Sequence, residues 1–461
     1  MKHTKKPVTR RTFIRETATA AGAFTAAASS AAHAGVYKSV LPSAVLGANE
    51  RIRTLHIGLG YMGMANVQYA LQRPEIQPIA VCDLWQPYRE RALELVKEAG
   101  HPKPRELVYF EEMIADPDVD AVVVCTPDHW HAIPSIMACD AGKAVWCEKP
   151  VATTMREGEA MLEAARRNGT VFQCGTMQRS GAHFQEAVAL IQSGYIGKVA
   201  RAHVWVNEEI PVEGLGNPPD TDPPDGLDWK RYTGWTPKVP FNENRFHYNW
   251  RWFKEYCSGN MTDWGVHLVD IVLWAMGEDK PPRRVNAAGG KFVLTDNRNT
   301  PDQVDVTWQF DGYTLTLENC CYNAHSPYGR HRTGNAFMGT LGTLVIDRGG
   351  YVIIPNPANG GCEPKHRGST PMNEPHWENF VQCVRDGKRP ISDIAVCHNS
   401  TNVCHLGACS YFAGGPLVWD HEHQRFESKA ADVAQKANAF ANREYQNGWS
   451  LEPPHCAQWK A

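Results

Sequence analysis

The sequence predicts an α/β protein in which a doubly wound parallel sheet is followed by an α+β domain with a large antiparallel sheet. Three observations lead to this prediction. Apolar runs alternate with helical patterns up to about residue 175, a glycine-rich turn joins the first run to the first helix, and the later runs are joined by short turns. Strands separated by helices favour parallel pairing, whereas strands separated by tight turns favour antiparallel pairing.

The first part of the chain carries short apolar runs of the kind that form buried parallel strands. The predicted strands are Thr54–Ile57, Pro78–Cys82, Ala121–Cys125, Ala144–Cys147 and Val171–Cys174. The segments between them have the periodicity of amphipathic helices. The predicted helices are Met62–Gln72, Gln86–Ala99, Ile133–Ala141 and Arg156–Arg167. Together they predict a Rossmann domain over residues 52–175.

From residue 176 to residue 415 the pattern changes to that of an α+β domain. The predicted helices are Phe184–Ser193, Glu374–Asp386 and Val396–Ala413. The predicted strands are Ala200–Val206, Arg284–Val293, Val304–Phe310, Tyr313–Asn319 and Leu341–Ile346. A Pro- and Gly-rich stretch, 211–226, is predicted to be a loop because its backbone continues neither regular element. Residues 416–461 are predicted to be a polar C-terminal extension.

The glycine-rich turn predicts a dinucleotide site. The candidate cofactor-binding residues here are Gly58, Gly60, Tyr61, Met62, Gly63 and Asp83. A turn of this kind presents a helix N-terminus to a pyrophosphate, and an acid at the end of the second strand accepts hydrogen bonds from the adenosine ribose. Asp83 would repel a 2′-phosphate, so NAD is favoured over NADP. The alternative is a purely structural turn.

Two further segments follow predicted strands at the edge where open α/β sheets bind ligands. One runs from Cys125 to His131, and the other is Glu148-Lys149-Pro150. Their positions add candidates for cofactor binding: Thr126, Pro127, His131, Glu148 and Lys149. Later, Asp263 and His267 lie one helical turn apart, on one face of a predicted helix.

The glycine turn, the Glu148-Lys149-Pro150 motif and the D-x-G-x-H pattern from Asp263 to His267 resemble the Gfo/Idh/MocA oxidoreductases. This family is named for glucose–fructose oxidoreductase and inositol dehydrogenase, and the resemblance covers nearly the whole mature chain. It implies that Lys149 contacts the substrate hydroxyl and the nicotinamide ribose, that Asp263 orients the substrate and that His267 exchanges the hydroxyl proton. It also implies a cis Lys149–Pro150 bond, which would aim Lys149 into the cleft.

The chemistry of the same residues agrees with this assignment. Oxidising a carbinol needs a hydride acceptor and a base for the hydroxyl proton. A lysine partly buried beside a cationic nicotinamide is expected to have a lowered pKa, and a histidine serves near neutral pH. Taken singly, Lys149 could be a surface ion pair and His267 a core histidine. Asp263 and His267 could instead bind a metal with His247 or His183, but no metal is predicted.

A run of aromatic residues indicates the class of substrate. Several Trp lie between residues 229 and 264, interleaved with polar residues. Sugars present apolar C–H faces to aromatic rings and hydroxyls to polar side chains, although any single Trp could belong to the core. The candidate substrate-binding residues are Lys149, Gln178, Arg179, His183, His247, Trp250, Asp263 and His267.

Three functions are compatible with these features. The first is a sugar or polyol oxidoreductase whose NAD is bound firmly enough to survive export. The second is a redox-neutral glycoside hydrolase or lyase, in which transient oxidation of a ring carbon permits elimination, followed by addition and return of the hydride. The third is a non-enzymatic sugar-binding or regulatory member, against which the intact Lys149, Asp263 and His267 argue.

The N-terminus predicts export by the twin-arginine pathway, with residues 1–34 as the signal peptide. Arg10-Arg11 precede an Ala-rich stretch that ends in small residues at Ala32-His33-Ala34. A disordered basic tail and a retained anchor are the alternatives. We expect a periplasmic or otherwise exported protein, a homo-oligomer, with a carbohydrate substrate and without nucleic-acid or stable membrane binding, since the net charge is −3.

Overall fold

The computed structural model describes residues 51–455, so the predicted signal peptide lies outside the described residues. The first part forms a six-stranded parallel sheet of order β3-β2-β1-β4-β5-β6. Its strands are β1 (Ile52–Ile57), β2 (Ile76–Cys82), β3 (Arg105–Leu107), β4 (Ala121–Val124), β5 (Ala144–Cys147) and β6 (Phe172–Cys174). The helices between them are α1 (Tyr61–Leu71), α2 (Gln86–Glu98), α3 (Ala132–Asp140) and α4 (Met155–Asn168). This confirms the predicted Rossmann sheet.

The strand order of this sheet positions the site. β1 pairs with β2 on one side and with β4 on the other, so the order reverses beside β1. Ile57 and Val124 are register partners at the carboxyl ends of β1 and β4. The loops that follow these two strands therefore emerge side by side, at the edge where doubly wound sheets bind their ligands.

The second part is a ten-stranded sheet of order β14-β13-β12-β11-β7-β10-β9-β8-β15-β16. Its strands are β7 (Val199–Asn207), β8 (Arg284–Gly290), β9 (Gln303–Gln309), β10 (Thr314–Cys320), β11 (Thr333–Gly339), β12 (Gly342–Asp347), β13 (Gly350–Pro355), β14 (Lys365–Gly368), β15 (Leu417–Asp420) and β16 (Arg425–Glu427). All neighbours are antiparallel except β7 and β10, which pair in parallel. The predicted antiparallel sheet is thus mixed at one position, because a long crossover separates those two strands in the chain.

Six helices accompany the second sheet. They are α5 (Ala182–Gln192), α6 (Trp229–Thr233), α7 (Asp263–Met276), α8 (Asn373–Asp386), α9 (Ile394–Ala413) and α10 (Ala431–Ala441). Helix α9 is buried along most of its length and packs against α4, α7, α10 and β8. Helix α8 packs on the first sheet, where the Trp377 indole stacks on that of Trp146 with a centroid distance of 4.3 Å. The residues predicted as a polar extension supply β15, β16 and α10.

Two further properties hold for the described residues. Among residues 51–455, no helix combines the length and apolar character that crossing a bilayer requires. The described cysteines are all free, and most are buried, where they act as small apolar core residues.

Candidate active site

A cavity of about 250 Å³ opens at the carboxyl ends of β1, β2, β4 and β5. The second part of the chain closes its other wall with a segment that leads into α7. Thirteen of the predicted site residues line this cavity: Gly58, Gly60, Tyr61, Met62, Asp83, Thr126, Pro127, His131, Glu148, Lys149, His247, Trp250 and Asp263. The topology therefore brings together residues that are more than 200 positions apart in the sequence.

The glycine turn has the geometry that its sequence pattern requires. Gly58 has a φ of +84°, and a Cβ there would lie 2.6 Å from the Cys125 backbone. A Cβ on Gly63 would lie 1.9 Å from the Gly58 carbonyl oxygen, so Gly63 serves the packing of the turn and does not line the cavity. At Gly60 the nearest atom would be 3.9 Å away, on Tyr88. Helix α1 has no side-chain cap, which leaves its first N–H groups free for an anion.

Asp83 is held rigidly at the end of β2. Its Oδ2 accepts a hydrogen bond from the Leu59 N–H at 2.7 Å, and its Oδ1 accepts one from the Trp85 N–H at 2.9 Å. Burial raises the pKa of Asp83, and these backbone donors oppose that shift. Each carboxylate oxygen retains a lone pair toward the cavity. The side chain is therefore preorganised to accept hydrogen bonds from a diol.

Two residues at the ends of β4 and β5 have buried oxygens that are free to contact a bound group. Thr126 Oγ1 and Glu148 Oε2 are buried and have no hydrogen-bond partner among the described residues. Glu148 Oε1 accepts a hydrogen bond from Asn66 Nδ2 at 2.9 Å. The ring nitrogens of His131 lie 2.7 Å from Pro150 O and 2.9 Å from Thr126 O. Burial lowers the pKa of His131 to about 4, so the neutral ring donates to only one of these two carbonyls.

Lys149 lies at the centre of a buried ion-pair network. Its Nζ donates to Asp263 Oδ1 at 2.6 Å and to the Asp263 carbonyl oxygen at 2.9 Å, and the Lys149–Pro150 bond is cis. Arg251 Nε donates to the other oxygen, Oδ2, at 3.0 Å. Burial raises the pKa of Asp263, but the two cations outweigh burial and hold it at about 2.

The pKa of Lys149 itself corrects one expectation. A lowered pKa was expected from burial beside a cationic nicotinamide. Burial does lower the pKa of Lys149, yet the Asp263 carboxylate more than offsets it, and the net shift is upward. Lys149 is therefore a stable ammonium group, suited to donating hydrogen bonds.

His267 follows Asp263 by one turn of α7 and is buried. Among residues 51–455, neither of its ring nitrogens has a hydrogen-bond partner, and Nδ1 is fully enclosed. Burial, then the charge of Lys149, lowers the pKa of His267 well below its usual range, so the imidazole is neutral. A buried imidazole without partners is costly unless a ligand supplies one. His267 does not line the cavity described above.

The residues after β6 make contacts with the second part of the chain and lie outside the lining of the described cavity. The Arg179 guanidinium is buried in an ion pair with Asp270, with Nε 2.7 Å from Oδ2. His183 Nδ1 lies 2.8 Å from Thr370 Oγ1. Neither residue lines the cavity, so the structure gives their predicted substrate-binding role no support. Gln178 is also outside the cavity, but its Nε2 donates to the His267 carbonyl oxygen at 3.1 Å.

The aromatic run divides between core and site. Trp235 and Trp252 are buried and belong to the core, which is the alternative that the sequence left open. Trp250 lines the cavity together with Tyr248 and His247. The His247 ring packs on Phe246, and its Nδ1 lies 2.8 Å from the Tyr88 hydroxyl. Trp250 and His247 thus line the same cavity as the glycine turn and Asp83.

Arg251 and Asp128 are among the residues of the cavity wall that were not predicted. Arg251 pairs with Asp263, and its guanidinium lies 3.7 Å from the Tyr248 ring centroid and 4.8 Å from that of Trp250. The sequence signal that could have identified Arg251 is its position inside the run of aromatic and basic residues. Asp128 is buried, its Oδ2 has no partner among the described residues, and burial raises its pKa well above its usual range.

The arrangement fits a nicotinamide dinucleotide. The uncapped N-terminus of α1 suits a pyrophosphate, the Asp83 carboxylate suits a ribose diol, and unpartnered oxygens of Thr126 and Glu148 belong to residues that line the same cavity. No group of three or more His, Cys, Asp and Glu side chains within 51–455 is placed to hold a metal ion. The fold and the site define a nicotinamide-dependent oxidoreductase.

Comparisons with known proteins give the family. Residues 52–176 match the family model described as "Oxidoreductase family, NAD-binding Rossmann fold", and residues 231–345 match the "GFO/IDH/MocA C-terminal domain". The chain belongs to the Gfo/Idh/MocA oxidoreductase family, and its Rossmann domain binds NAD.

Three similar proteins illustrate the range of relatives. The chain is 25% identical over 353 residues to the scyllo-inositol 2-dehydrogenase (NAD(+)) of Bacillus subtilis, which spans 74% of this chain and 88% of that protein. It is 29% identical over 314 residues to a glycosyl hydrolase family 109 protein of Shewanella sp. strain ANA-3, which spans 66% of each. The aldose-aldose oxidoreductase of Caulobacter crescentus shares the fold, with a TM-score of 0.60, 20% identity and coverage of 80% of this chain and 100% of that one.

Proposed function

We propose that this oxidoreductase oxidises a ring carbinol of a sugar or sugar-derived polyol, with NAD held in the cavity of the Rossmann domain. The observation that carries the proposal is the contact of Lys149 with Asp263, one helical turn from the unpartnered imidazole of His267. The names of relatives, an inositol dehydrogenase and an aldose oxidoreductase, support this class of substrate.

The residues of the first part hold the cofactor. The N–H groups at the start of α1 bind the pyrophosphate, and Asp83 binds the adenosine ribose and disfavours a 2′-phosphate. When bound, NAD supplies the hydride acceptor. Thr126 and Glu148 offer the unpartnered oxygens that remain for its nicotinamide end.

The residues of the network handle the proton. Asp263 holds the Lys149 ammonium at the cavity wall, where it donates a hydrogen bond to the substrate hydroxyl oxygen and stabilises negative charge as it develops. We assign the role of general base to His267, because its imidazole is neutral and unpartnered and follows Asp263 by one helical turn, although it lies outside the lining of the described cavity. Trp250 and His247 orient the sugar, with the ring on its C–H face and the imidazole toward its hydroxyls.

The test uses the full chain purified with whatever cofactor it carries. We expect the absorbance of the protein to show bound nicotinamide, and a panel of sugars and polyols to contain a compound that reduces the bound NAD in a single turnover. The control is the same panel with Asp263→Asn. If no member of a broad panel reduced the bound cofactor in the wild type, dehydrogenation of sugars would be refuted.

A second function is favoured by a specific observation. Several of the relatives, all from Shewanella, are glycosyl hydrolase family 109 proteins. The alternative proposal is a redox-neutral glycoside hydrolase or lyase, which oxidises a ring carbon, eliminates the glycosidic group and returns the hydride. Release of reducing sugar from an aryl glycoside without net formation of NADH would favour this alternative over the dehydrogenase.

We also propose that the protein is exported by the twin-arginine pathway to the periplasm. The support is the order of Arg10-Arg11, the Ala-rich stretch and the small residues at Ala32–Ala34. These positions are outside the described residues. A firmly held NAD would suit such a compartment, since a cofactor loaded in the cytoplasm would travel with the folded protein. The expected homo-oligomer is tested by light scattering on the purified chain.

A further inference from the structure

Arg348 lies beside the active site, outside the lining of the described cavity. It follows β12 in the turn that leads to β13 and is half-buried. Its guanidinium lies 4.7 Å from the Trp264 ring centroid, and its Nε donates to Gln178 Oε1 at 3.2 Å. These two contacts hold the guanidinium plane in place from two sides. The two terminal nitrogens of the guanidinium have no hydrogen-bond partner among the described residues.

No carboxylate neutralises this arginine. Within residues 51–455, Arg348 forms no ion pair, although other arginines near it do. The adjacent acid, Asp347, is already bound by Arg330 at 2.9 Å. Burial lowers the pKa of Arg348, which reflects the cost of removing its charge from water without an anion in contact. An anionic ligand would offset that cost.

The contacts of Arg348 connect it to the residues that carry the proposed reaction. Trp264 directly follows Asp263 at the start of α7. Gln178 bonds to Arg348 through its oxygen and to the His267 carbonyl through its nitrogen. The Gln178 side chain thus links the Arg348 guanidinium to the backbone of α7 at His267.

Three cations lie near the start of α7. Lys149 and Arg251 are both paired with the carboxylate of Asp263, whereas Arg348 has no carboxylate in contact among the described residues. Burial raises the pKa of the nearby Asp128 well above its usual range, which opposes its ionisation. A neutral sugar would leave Arg348 without an anion in contact, whereas an acidic sugar would supply one.

We propose that Arg348, held by Gln178 and Trp264, binds an anionic group of the substrate, so that the physiological substrate is an acidic sugar. This rests on the proposed sugar oxidoreductase. The guanidinium presents two terminal nitrogens in the planar fork that binds the oxygens of a carboxylate or phosphate in pairs. Arg348 is then a specificity-determining residue, because it favours substrates that carry a negative charge.

The test compares a hexuronate, a hexose 6-phosphate and the parent neutral hexose on the holoenzyme. We expect the ratio of kcat/KM for an anionic sugar to that for the neutral hexose to exceed one in the wild type. In Arg348→Met the ratio should fall by roughly 10-fold to 100-fold, the range for losing a charge-assisted pair. Which anionic sugar shows the larger fall identifies the anion as carboxylate or phosphate. Arg284→Met is the matched control, since Arg284 is exposed on β8 and has no acid partner in the described chain.

A binding measurement separates this inference from the proposed function. The affinity of the holoenzyme for each sugar is followed by tryptophan fluorescence, without turnover. If the anionic sugars bound through Arg348 but reduced no NAD, the anion subsite would stand and the dehydrogenase would be wrong. If neutral sugars reduced bound NAD and anionic ones bound no better, the subsite would be overturned. Arg348→Gln is the second uncharged variant, and Arg348→Lys should retain part of the preference.

Discussion

Lys149 and Asp263 are joined by two contacts, one from Nζ to the carboxylate at 2.6 Å and one from Nζ to the backbone carbonyl at 2.9 Å. The lysine lies at the beginning of the loop after β5, and the aspartate begins α7. The contact therefore ties the nucleotide-binding sheet to the first turn of the helix that carries His267. It also raises the pKa of Lys149, which supports the proposed roles of hydrogen-bond donation for Lys149 and proton acceptance for His267.

Lys149→Met should lower turnover by roughly 10²–10⁴-fold, the range for losing a positioned acid–base group. NAD binding should weaken much less, because the α1 N-terminus and Asp83 are unchanged. Single-turnover reduction of bound NAD by a productive sugar measures the effect. His267→Ala should show a similar loss, and the double variant should lose far less than the product of the two, since both residues act on one proton. A near-normal rate in Lys149→Met would contradict the assignment.

The rate of hydride transfer should stay constant as the pH falls past the usual histidine pKa of about 6.5. His267 must be neutral to accept a proton, and burial lowers its pKa well below that value. Activity is therefore lost only at a lower pH, where the imidazole finally protonates. Single-turnover rates in buffers from about pH 5.5 to pH 8 test this expectation. A decline in the rate with its midpoint near the usual histidine pKa would show that another group, or a solvated histidine, is the base.

Asp83→Ala should weaken NAD binding and narrow the preference for NAD over NADP. The variant loses both the hydrogen bonds to the ribose and the repulsion of a 2′-phosphate. Titration of the cofactor-free protein with each dinucleotide measures the change. Asp83→Asn is the control, because it keeps the size and an acceptor but removes the charge. Unchanged NAD affinity in Asp83→Ala would show that the adenosine ribose lies elsewhere.

The protein should lose stability steeply as the pH falls below about 6.5, because its buried histidines resist protonation. Burial lowers the pKa of His129 to about 3, and that of His131, His376 and His405 to about 4. The unfolded chain binds protons on these residues at a pH where the folded chain does not, so protonation favours unfolding. Each would reduce the free energy of unfolding by about 1.4 kcal/mol per pH unit below that point. Urea denaturation at a series of pH values measures the slope, and a flat profile down to about pH 5 would refute it.

Replacing Arg10 and Arg11 with Lys should trap the precursor in the cytoplasm, folded and loaded with cofactor. The twin-arginine pathway requires the arginine pair and transports folded proteins, so the change affects transport and leaves the fold intact. Cell fractionation of the wild type and the double variant measures the outcome. The control is the Lys5→Arg, Lys6→Arg variant, which exchanges two basic residues outside the Arg10-Arg11 pair and leaves the charge unchanged. Normal export of the Arg10→Lys, Arg11→Lys variant would remove the basis for the proposed compartment.

The parallel sheet was predictable because its signals are local. Buried strands such as Ala121–Val124 are continuous apolar runs. The glycines in the turn around Gly58 have the spacing typical of a dinucleotide-binding turn. Strand β3 was missed because two of its three residues are exposed and charged. Strands β14 and β16 were missed for a similar reason, since an exposed edge strand has no apolar pattern.

The Rossmann sheet, the glycine turn and the candidates Lys149, Asp263 and His267 were predictable from the sequence, because each rests on residues close together in the chain. Which charged groups contact one another depended on the folded structure. The second cation on Asp263, the upward pKa shift of Lys149 and the isolation of Arg348 depend on contacts between residues far apart in sequence. Burial and Coulomb interactions depend on distances in space, and a local sequence pattern does not contain the distances between residues that are far apart in the chain.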